Sequence, residues 1–306
     1  MIFHRVLLIL TLLAALPTPA LFGAGEVAGG HAAEEHAGGE HHALPPEAVV
    51  LTEIGPFAIT NSMVVTWIVA IGLILVAQLA TRKQQAVPSG LQNFVEWLVE
   101  SLFGFFEGVL GEKMTKQTFW FFGTVFIFIL FTNWFGLIPG LGTIGWGHAT
   151  DHGFITTEPL LRGVNADLNM TAAMALFFFA LWIYWSLKEI GLGGFFFHIF
   201  NIKGHGVTAM GLFLMVIYLF VGVIEVVSIS VRPVALMFRL YGNVFAGENI
   251  LETVMSLGGT YFGWLMVLPF YFLELLVGLV QALVFALLTA VFTSLMCSHH
   301  DKEKSH

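Results

Sequence analysis

Two arginines, an asparagine and a glutamate lie in the segment from Ser228 to Glu248, inside about 45 residues of otherwise apolar sequence. The two residues of greatest chemical interest are Arg239 and Glu248. A charged residue at the centre of a bilayer-spanning helix costs roughly 2.5–3.5 kcal/mol on insertion scales. Arg239 cannot avoid this cost by deprotonation, because a guanidinium group keeps its proton at physiological pH. We therefore expect Arg239 to face a charged partner or an aqueous cavity, where it can hold an anion in its ionised form.

Helix geometry separates these polar residues into two faces. Asn243 follows Arg239 by four residues, so the two share a face. Glu248 follows Arg239 by nine residues, which places it about half a turn away at 3.6 residues per turn. One helix would then present a fixed cation on one side and a titratable acid on the other. A buried Arg–Glu pair that only locks helices together remains the structural alternative.

The composition assigns the chain to the polytopic membrane proteins. The sequence is 57% hydrophobic and 10% charged, with a mean hydropathy of +0.86. In soluble domains about a quarter of the residues are charged. The net charge of −8 gives no support to nucleic-acid binding. The single cysteine, Cys297, excludes an internal disulfide and a cysteine-based metal cluster.

The amino-terminal region has the pattern of a targeting segment followed by a tail. Residues 1–20 combine the basic Arg5, an apolar run and a small-residue exit, which predicts a signal peptide. A retained N-terminal anchor is the alternative. Residues 21–58 are rich in His, Glu and Gly and form a predicted flexible external segment, to which we assign no metal site.

Hydrophobic runs and helical periodicity predict an all-α fold with about five membrane-crossing helices and one amphipathic surface helix. The crossing segments are 63–80, 119–137, 165–187, 208–257 and 260–296, and the amphipathic helix covers 89–110. Lys188 is expected to end the third crossing. Two connections are predicted to lack regular structure: the polar loop 140–165 and the Gly- and Phe-rich segment 191–206.

The distribution of Lys and Arg decides whether 208–257 crosses once or twice. A single crossing leaves only Arg162 on the outer side. All the other basic residues outside the signal and the apolar segments then lie on the cytoplasmic side: Arg82, Lys83, Lys113, Lys116, Lys188, Lys203, Lys302 and Lys304. We therefore predict that the last two helices are long, tilted and antiparallel about Gly258-Gly259. The mature N-terminus would be external and the C-terminus cytoplasmic.

Further polar residues lie at matched depths. Glu274 and Gln281 are seven residues apart on the last helix, so they lie nearly on one face. Counting from the Gly258-Gly259 turn places Gln281 near the level of Arg239, and both Glu248 and Glu274 closer to the outer surface.

Two other polar pairs allow a structural and a functional interpretation. Asp167 and Asn169 at the start of the third crossing suit either a helix cap or a water-filled entrance. Glu225 and Arg232, seven residues apart, suit either an ordinary ion network within the helix or an inner ion route.

Three segments resemble subunit a of the F-type ATP synthases. The run Arg-Leu-Tyr-Gly-Asn-Val-Phe-Ala-Gly-Glu from Arg239 to Glu248 is similar to the family signature. Asn-Ala-Asp-Leu-Asn-Met-Thr at 165–171 and Gln-Ala-Leu-Val-Phe at 281–285 resemble two further family segments. The resemblance extends over roughly residues 60–300. Some family members carry histidine at the position of Glu274, so this chain departs from any histidine relay.

The resemblance implies a non-catalytic, ion-translocating stator subunit, most simply for protons, with no cofactor. Two offset half-channels would deliver the ion to carboxylates of a rotating c-ring. Arg239 would guide the deprotonated ring carboxylate and block leakage. The implied ion-translocation residues are Arg239, Glu248, Asn243, Gln281 and Glu274, and the candidate channel-lining residues are Glu225, Arg232, Asp167 and Asn169.

The resemblance also implies surroundings and boundaries. The partners would be the c-ring, the peripheral-stalk b subunits and the lipid bilayer of a bacterial inner membrane, with no nucleic acid. The membrane domain would cover 59–298, followed by a cytoplasmic tail at 299–306. Three alternatives remain open: a Na⁺-coupled version of the same subunit, a stand-alone ion-coupled secondary transporter and a non-transporting scaffold. Secondary transporters usually contain repeated halves, and this sequence shows no internal repeat.

Overall fold

A computed structural model describes residues 48–54, 57–82, 85–150, 153–200 and 209–303. These residues form a bundle of long helices with two small antiparallel hairpins. The helices are α1 (Asn61–Thr81), α2 (Leu91–Leu110), α3 (Glu112–Gly136), α4 (Leu168–Phe200), α5 (Ala209–Leu257) and α6 (Gly259–Glu303). The strands are β1 (Val50–Ile54), β2 (Phe57–Thr60), β3 (Gly145–Thr150) and β4 (Gly153–Pro159).

Five of the described helices are long and apolar enough to cross a membrane, which confirms the predicted number. The spans lie at Asn61–Thr81, Glu112–Gly136, Leu168–Lys188, Phe213–Leu257 and Phe262–Leu295. The predicted amphipathic helix is α2, whose polar face carries exposed Glu96 and Glu100. Its opposite side packs against α3 and α6. The all-α membrane fold class is therefore confirmed.

Aromatic side chains form the core around α3, the most deeply buried of the spans. Phe121, Phe122 and Phe128 of α3 are almost completely buried. Phe106 of α2 stacks on Phe122, and Trp185 of α4 packs edge-on against Phe121. Each ring buries a large apolar surface and packs closely against its neighbours. The core therefore fixes the positions of α2 and α4 relative to α3.

The segment 208–257 forms a single helix over its described part, as the Lys/Arg distribution predicts. Helix α5 has 49 residues and continues through Pro233. At 1.5 Å per residue it is about 73 Å long, more than twice what an ordinary span needs. The chain reverses at Gly258-Gly259, where Gly259 has a φ of +62° that favours glycine. Helix α6 then returns along α5.

Two predicted connections contain more structure than expected. The crossing helix that begins at Leu168 ends close to Lys188, because the backbone leaves the helical conformation at Gly191 with a φ of 75° and a ψ of 162°; a second helical stretch then follows to Phe200. The glycines after Lys188 thus allow a local break and not a loop. The polar loop 140–165 contains the β3–β4 hairpin, whose pairing satisfies backbone groups that a loop would leave to water.

The external segment 21–58 is likewise not without structure, because β1 and the start of β2 pair within it. The predicted signal peptide at 1–20 lies outside the described residues, as do most of the external segment and the end of the tail. The boundaries of these regions stay predictions.

Candidate functional site

A cleft between α3, α5 and α6 brings together three of the residues that the sequence singles out. Glu248, Glu274 and Gln281 all line it, and the space between its lining residues, which is open on one side, measures about 320 Å³. Its other lining residues are Asn133, Gly136, Leu137, Val244, Val277 and Gly278. Glu274, Val277, Gly278 and Gln281 follow the spacing of one helix face, as expected from their seven-residue separation. Two acids and an amide therefore share one small, partly enclosed space.

Both acids reach the cleft because glycines lie beside them. Gly247 packs against the carboxyl group of Glu274, where an added side chain would overlap it. Gly163, in the loop before α4, packs in the same way against the carboxyl group of Glu248. The Oε2 atom of Glu248 is buried and has no hydrogen-bond partner among the described residues. The glycine backbones therefore pack directly against both carboxyl groups.

A chain of hydrogen bonds runs from the loop before α4 across α3 to α6, next to the cleft. The Nδ2 atom of Asn165 donates to the Oγ1 of Thr132 at 2.9 Å and to the Oδ1 of Asn133 at 2.6 Å. The Nδ2 of Asn133 donates to the carbonyl of Gly278 at 3.1 Å. Asn165 and Asn133 are both buried. These bonds fix the end of α3 against α6 at the level of the cleft.

Asp167 caps α4, which is one of the two interpretations that its position allows. Its Oδ1 accepts a hydrogen bond from the backbone N–H of Asn169 at 3.0 Å, the geometry of an N-cap. Its Oδ2 accepts from the Oγ of Ser62 on α1 at 2.5 Å, and Asp167 is buried. The Oδ1 of Asn169 is buried without a partner among the described residues. The cap therefore also ties α4 to α1.

Arg239 lies apart from the cleft on an exposed part of α5. No hydrogen bond or ion pair joins it to any other residue that the structure describes. The alternative of a buried Arg–Glu lock therefore does not hold within the described chain. Asn243, one turn further on, is half-buried and does not line the cleft either. The helix presents the cation and the acid Glu248 on different sides, as its geometry predicts.

Glu225 and Arg232 form an ion pair within α5. The Nη2 of Arg232 lies 3.4 Å from the Oε1 of Glu225. The guanidinium also stacks over the ring of Phe292 on α6, 4.7 Å from the ring centre. Unlike Arg239, Arg232 therefore has partners within the chain, which agrees with an ordinary ion network.

Comparison with known proteins decides the family. The profile of the family described as "ATP synthase A chain" matches residues 63–294, which is most of the chain and includes the polar residues that line the cleft, as well as Arg239 and Asp167. The chain belongs to the ATP synthase A chain family. As a member it is a non-catalytic, multi-pass membrane subunit of the ATP synthase.

Curated relatives agree over most of their length. The chain is 31% identical over 250 residues to ATP synthase subunit a of Gloeobacter violaceus, which covers 81% of this chain and 89% of the relative. It is 34% identical over 239 residues to subunit a of Protochlamydia amoebophila, covering 76% and 78% respectively. It is 30% identical over 251 residues to subunit a of Moorella thermoacetica, covering 82% and 95%.

The structure adds three residues to the site of this ATP synthase A chain that the sequence did not identify. Asn133 was visible only as a polar residue near the end of a span. Gly163 had no signal of its own. Arg162, assigned from the sequence only to the outer side, is buried and interacts electrostatically with Glu248. A buried cation next to an acid indicates a site, but only the fold brings the loop and α5 together.

Proposed function

We propose that this chain is the ion-translocating stator subunit of the ATP synthase, most simply for protons. In this proposal Arg239 faces the rotating c-ring, guides the deprotonated carboxylate of each ring subunit and blocks direct leakage. Glu248, Glu274 and Gln281 line the outer half-channel, with Asn243 between this cleft and Arg239.

The observation that carries the proposal is the exposure of Arg239 on an apolar helix surface. The neighbouring side chains Val231, Val234 and Phe238 are about half exposed. A guanidinium cannot lose its proton, and lipid is a costly environment for it. Since no described residue of the chain pairs with Arg239, a partner outside the chain must supply the compensating charge. A carboxylate on a neighbouring membrane subunit meets this requirement, and the fixed cation favours its ionised form.

The distribution of unsatisfied polar atoms supports an aqueous path on the side of the cleft. Buried side-chain oxygen atoms of five described residues lack a partner: Asn61, Asn165, Asn169, Ser186 and Glu248. All of these except Ser186 lie toward the end of the bundle that contains the cleft. Buried acceptors in folded proteins nearly always find a partner, and ordered water is the usual one where protein offers none. Water at these atoms would connect the loop before α4 with Glu248.

The distance between the acid and the cation explains why a moving partner is needed. Nine residues separate Arg239 from Glu248, about 14 Å along the helix axis at 1.5 Å per residue. No proton passes directly over such a gap. A ring carboxylate that takes a proton at the end of the half-channel becomes neutral and can enter lipid. One that reaches Arg239 is held ionised, so protonation is coupled to rotation.

The remaining sequence predictions become parts of this proposal. The partners are the c-ring and the peripheral-stalk b subunits in a bacterial inner membrane, with the mature N-terminus external and the C-terminus cytoplasmic. Asp167 and Asn169 contribute to the outer entrance through the cap described above. Glu225 and Arg232 remain candidates for the inner route. A Na⁺-coupled version differs in the ring carboxylate's surroundings, which belong to another chain.

Disulfide crosslinking in the assembled complex tests the predicted contact with the ring. In a Cys297→Ser background, Ala235→Cys places a thiol one turn from Arg239 on the exposed surface of α5. Leu75→Cys on exposed α1 is the matched control. A single cysteine is introduced into the ring subunit next to its carboxylate. We expect oxidation to crosslink Ala235→Cys and not Leu75→Cys. Crosslinking of the control alone would contradict the proposal.

A further inference from the structure

We propose that Gly163 and Gly136 are positioning residues that fix the carboxyl group of Glu248 at the wall of the cleft. The two glycines and the carboxyl group form what we call the glycine notch: Gly136 at the end of α3, Gly163 in the loop before α4, and Glu248 on α5. The role of Glu248 in transport rests on the proposed function. The glycine notch itself rests only on steric contacts.

The notch is defined by close contacts. A side chain on Gly163 would meet the Oε1 atom of Glu248 closer than any real contact, and its carboxyl carbon at 3.4 Å. A side chain on Gly136 would lie 3.2 Å from the Cα of Gly163 and 3.9 Å from the same Oε1. Each glycine therefore provides space that the next group fills. The carboxyl group is the last member of this stack and its only flexible one.

Neither glycine is needed for its backbone conformation. Gly163 has a φ of −53° and a ψ of 125°, which any residue adopts. Gly136 is the last residue of α3 and does not have the positive φ that favours glycine. Both positions therefore require glycine because there is no space for a side chain, and not because of their backbone conformation. An alanine at 163 would leave the backbone free to stay in place and would displace the carboxyl group.

Displacement of this carboxyl group has a specific consequence. Glu248 is half-buried, and its Oε2 has no described hydrogen-bond partner that would return it to its position. Its location then depends on the walls of the notch and on the charge of Arg162 nearby. A shift of about 1 Å in a reacting group can reduce a rate by two orders of magnitude. The glycines would then set how well the acid exchanges its proton with the cleft and with the buried loop before α4.

A double-mutant cycle between Gly163 and Glu248 tests the notch. Gly163→Ala adds the overlapping methyl group, and Glu248→Asp withdraws the carboxyl group by one C–C bond of about 1.5 Å. We expect each single variant to lower ATP-driven proton pumping in vesicles about tenfold or more. The double variant should pump at least as well as Gly163→Ala alone, because the shorter side chain leaves room for the methyl group. Independent effects would instead multiply, and a double variant at the product of the two losses would overturn the inference.

Controls separate a positional effect from misfolding. Gly72→Ala in α1 adds a methyl group with nothing within 4 Å and should pump normally. If Gly163→Ala prevents assembly, Glu248→Asp should restore co-purification with the ring, and failure to do so would overturn the inference. Normal pumping by Gly163→Ala would overturn it as well.

The variant Glu248→Gln tests the transport role separately, since it keeps the size of the side chain and removes its charge. Normal pumping by Glu248→Gln would contradict the proposed role of this acid in transport. Under that outcome the notch is still judged by the thermal stability of the purified complex. There, Glu248→Asp should reverse the loss of stability caused by Gly163→Ala, and additive losses would refute the notch.

Discussion

The side chain of Asn133 and the carbonyl of Gly278 form a hydrogen bond of 3.1 Å that joins α3 to α6 one turn from Glu274. The neighbouring Trp134 donates a second bond from its Nε1 to the carbonyl of Leu275 at 3.1 Å. Two consecutive residues of α3 therefore hold the backbone of α6 on either side of the cleft wall. This clamp fixes the height at which Glu274 lies along the wall of the cleft.

Removal of the clamp should lower the stability of the subunit. Asn133→Leu leaves the carbonyl of Gly278 without this donor and deprives the Nδ2 of Asn165 of an acceptor. Hydrogen bonds between membrane helices contribute about 0.6 kcal/mol on average, and an unsatisfied buried group costs about 1–3 kcal/mol. We expect a lower Tm for the purified complex. Asn93→Leu, on the exposed side of α2, is the control and should leave Tm unchanged. Equal Tm values for both variants would show that the clamp contributes nothing.

The two acids of the cleft should partly replace each other. Glu248 and Glu274 line the same space, so either can exchange protons with water there. We expect Glu248→Gln or Glu274→Gln alone to slow ATP-driven proton pumping, and the double variant to abolish it. Pumping is measured in vesicles after the ring is shown to co-purify. A double variant that pumps normally would place the outer half-channel elsewhere.

The orientation of the chain is testable with reporters. Because α5 is one continuous helix, we predict a single crossing, with a reporter after His306 cytoplasmic and one inserted at Gly145, the start of β3, external. Protease accessibility in sealed vesicles reads out both positions. Two reporters on the same side would be incompatible with a single crossing by α5.

Some of this structure could be predicted because it depends on local pattern. The Lys/Arg distribution predicts that α5 is one helix, although it contains Pro233. The nine-residue spacing predicts that Arg239 and Glu248 face different sides, and the seven-residue spacing predicts that Glu274 and Gln281 share a wall.

The rest depends on contacts between distant segments. Asn133 and Asn165 are 32 residues apart and Ser62 and Asp167 are 105 residues apart, so no periodicity connects them. The glycine notch exists because Gly163 and Gly136 have no side chains. The sequence does not show that the carboxyl group of Glu248 fills the space that they leave. The helical stretch between Gly191 and Phe200 was missed because a glycine-rich segment is typical of a loop, whereas here only Gly191 leaves the helical conformation.

The pair Glu225 and Arg232 offers a test between an inner ion route and an ion network. The double exchange Glu225→Arg with Arg232→Glu keeps an opposite-charge pair in reversed order. We expect it to retain most of the pumping activity, because an ion pair that only stabilises the helix keeps its opposite charges at the same two positions. A complete loss in an assembled complex, with Glu225→Gln equally inactive, would instead assign the pair to the ion path.

The exposed position of Arg239 is the centre of the account, and substitution at this residue tests it most directly. Lysine keeps the charge, but it is a compact ammonium group that can lose its proton when desolvated. We expect Arg239→Lys to assemble with the ring and to lose coupled ATP synthesis. Arg239→Ala should in addition make the vesicle membrane leak protons, because no fixed cation then blocks direct passage between the two half-channels. The decisive measurement is ATP synthesis together with passive proton permeability in vesicles that contain an Arg239→Ala complex with its ring bound. The account predicts no synthesis and raised permeability, and near-normal synthesis with a tight membrane would contradict it.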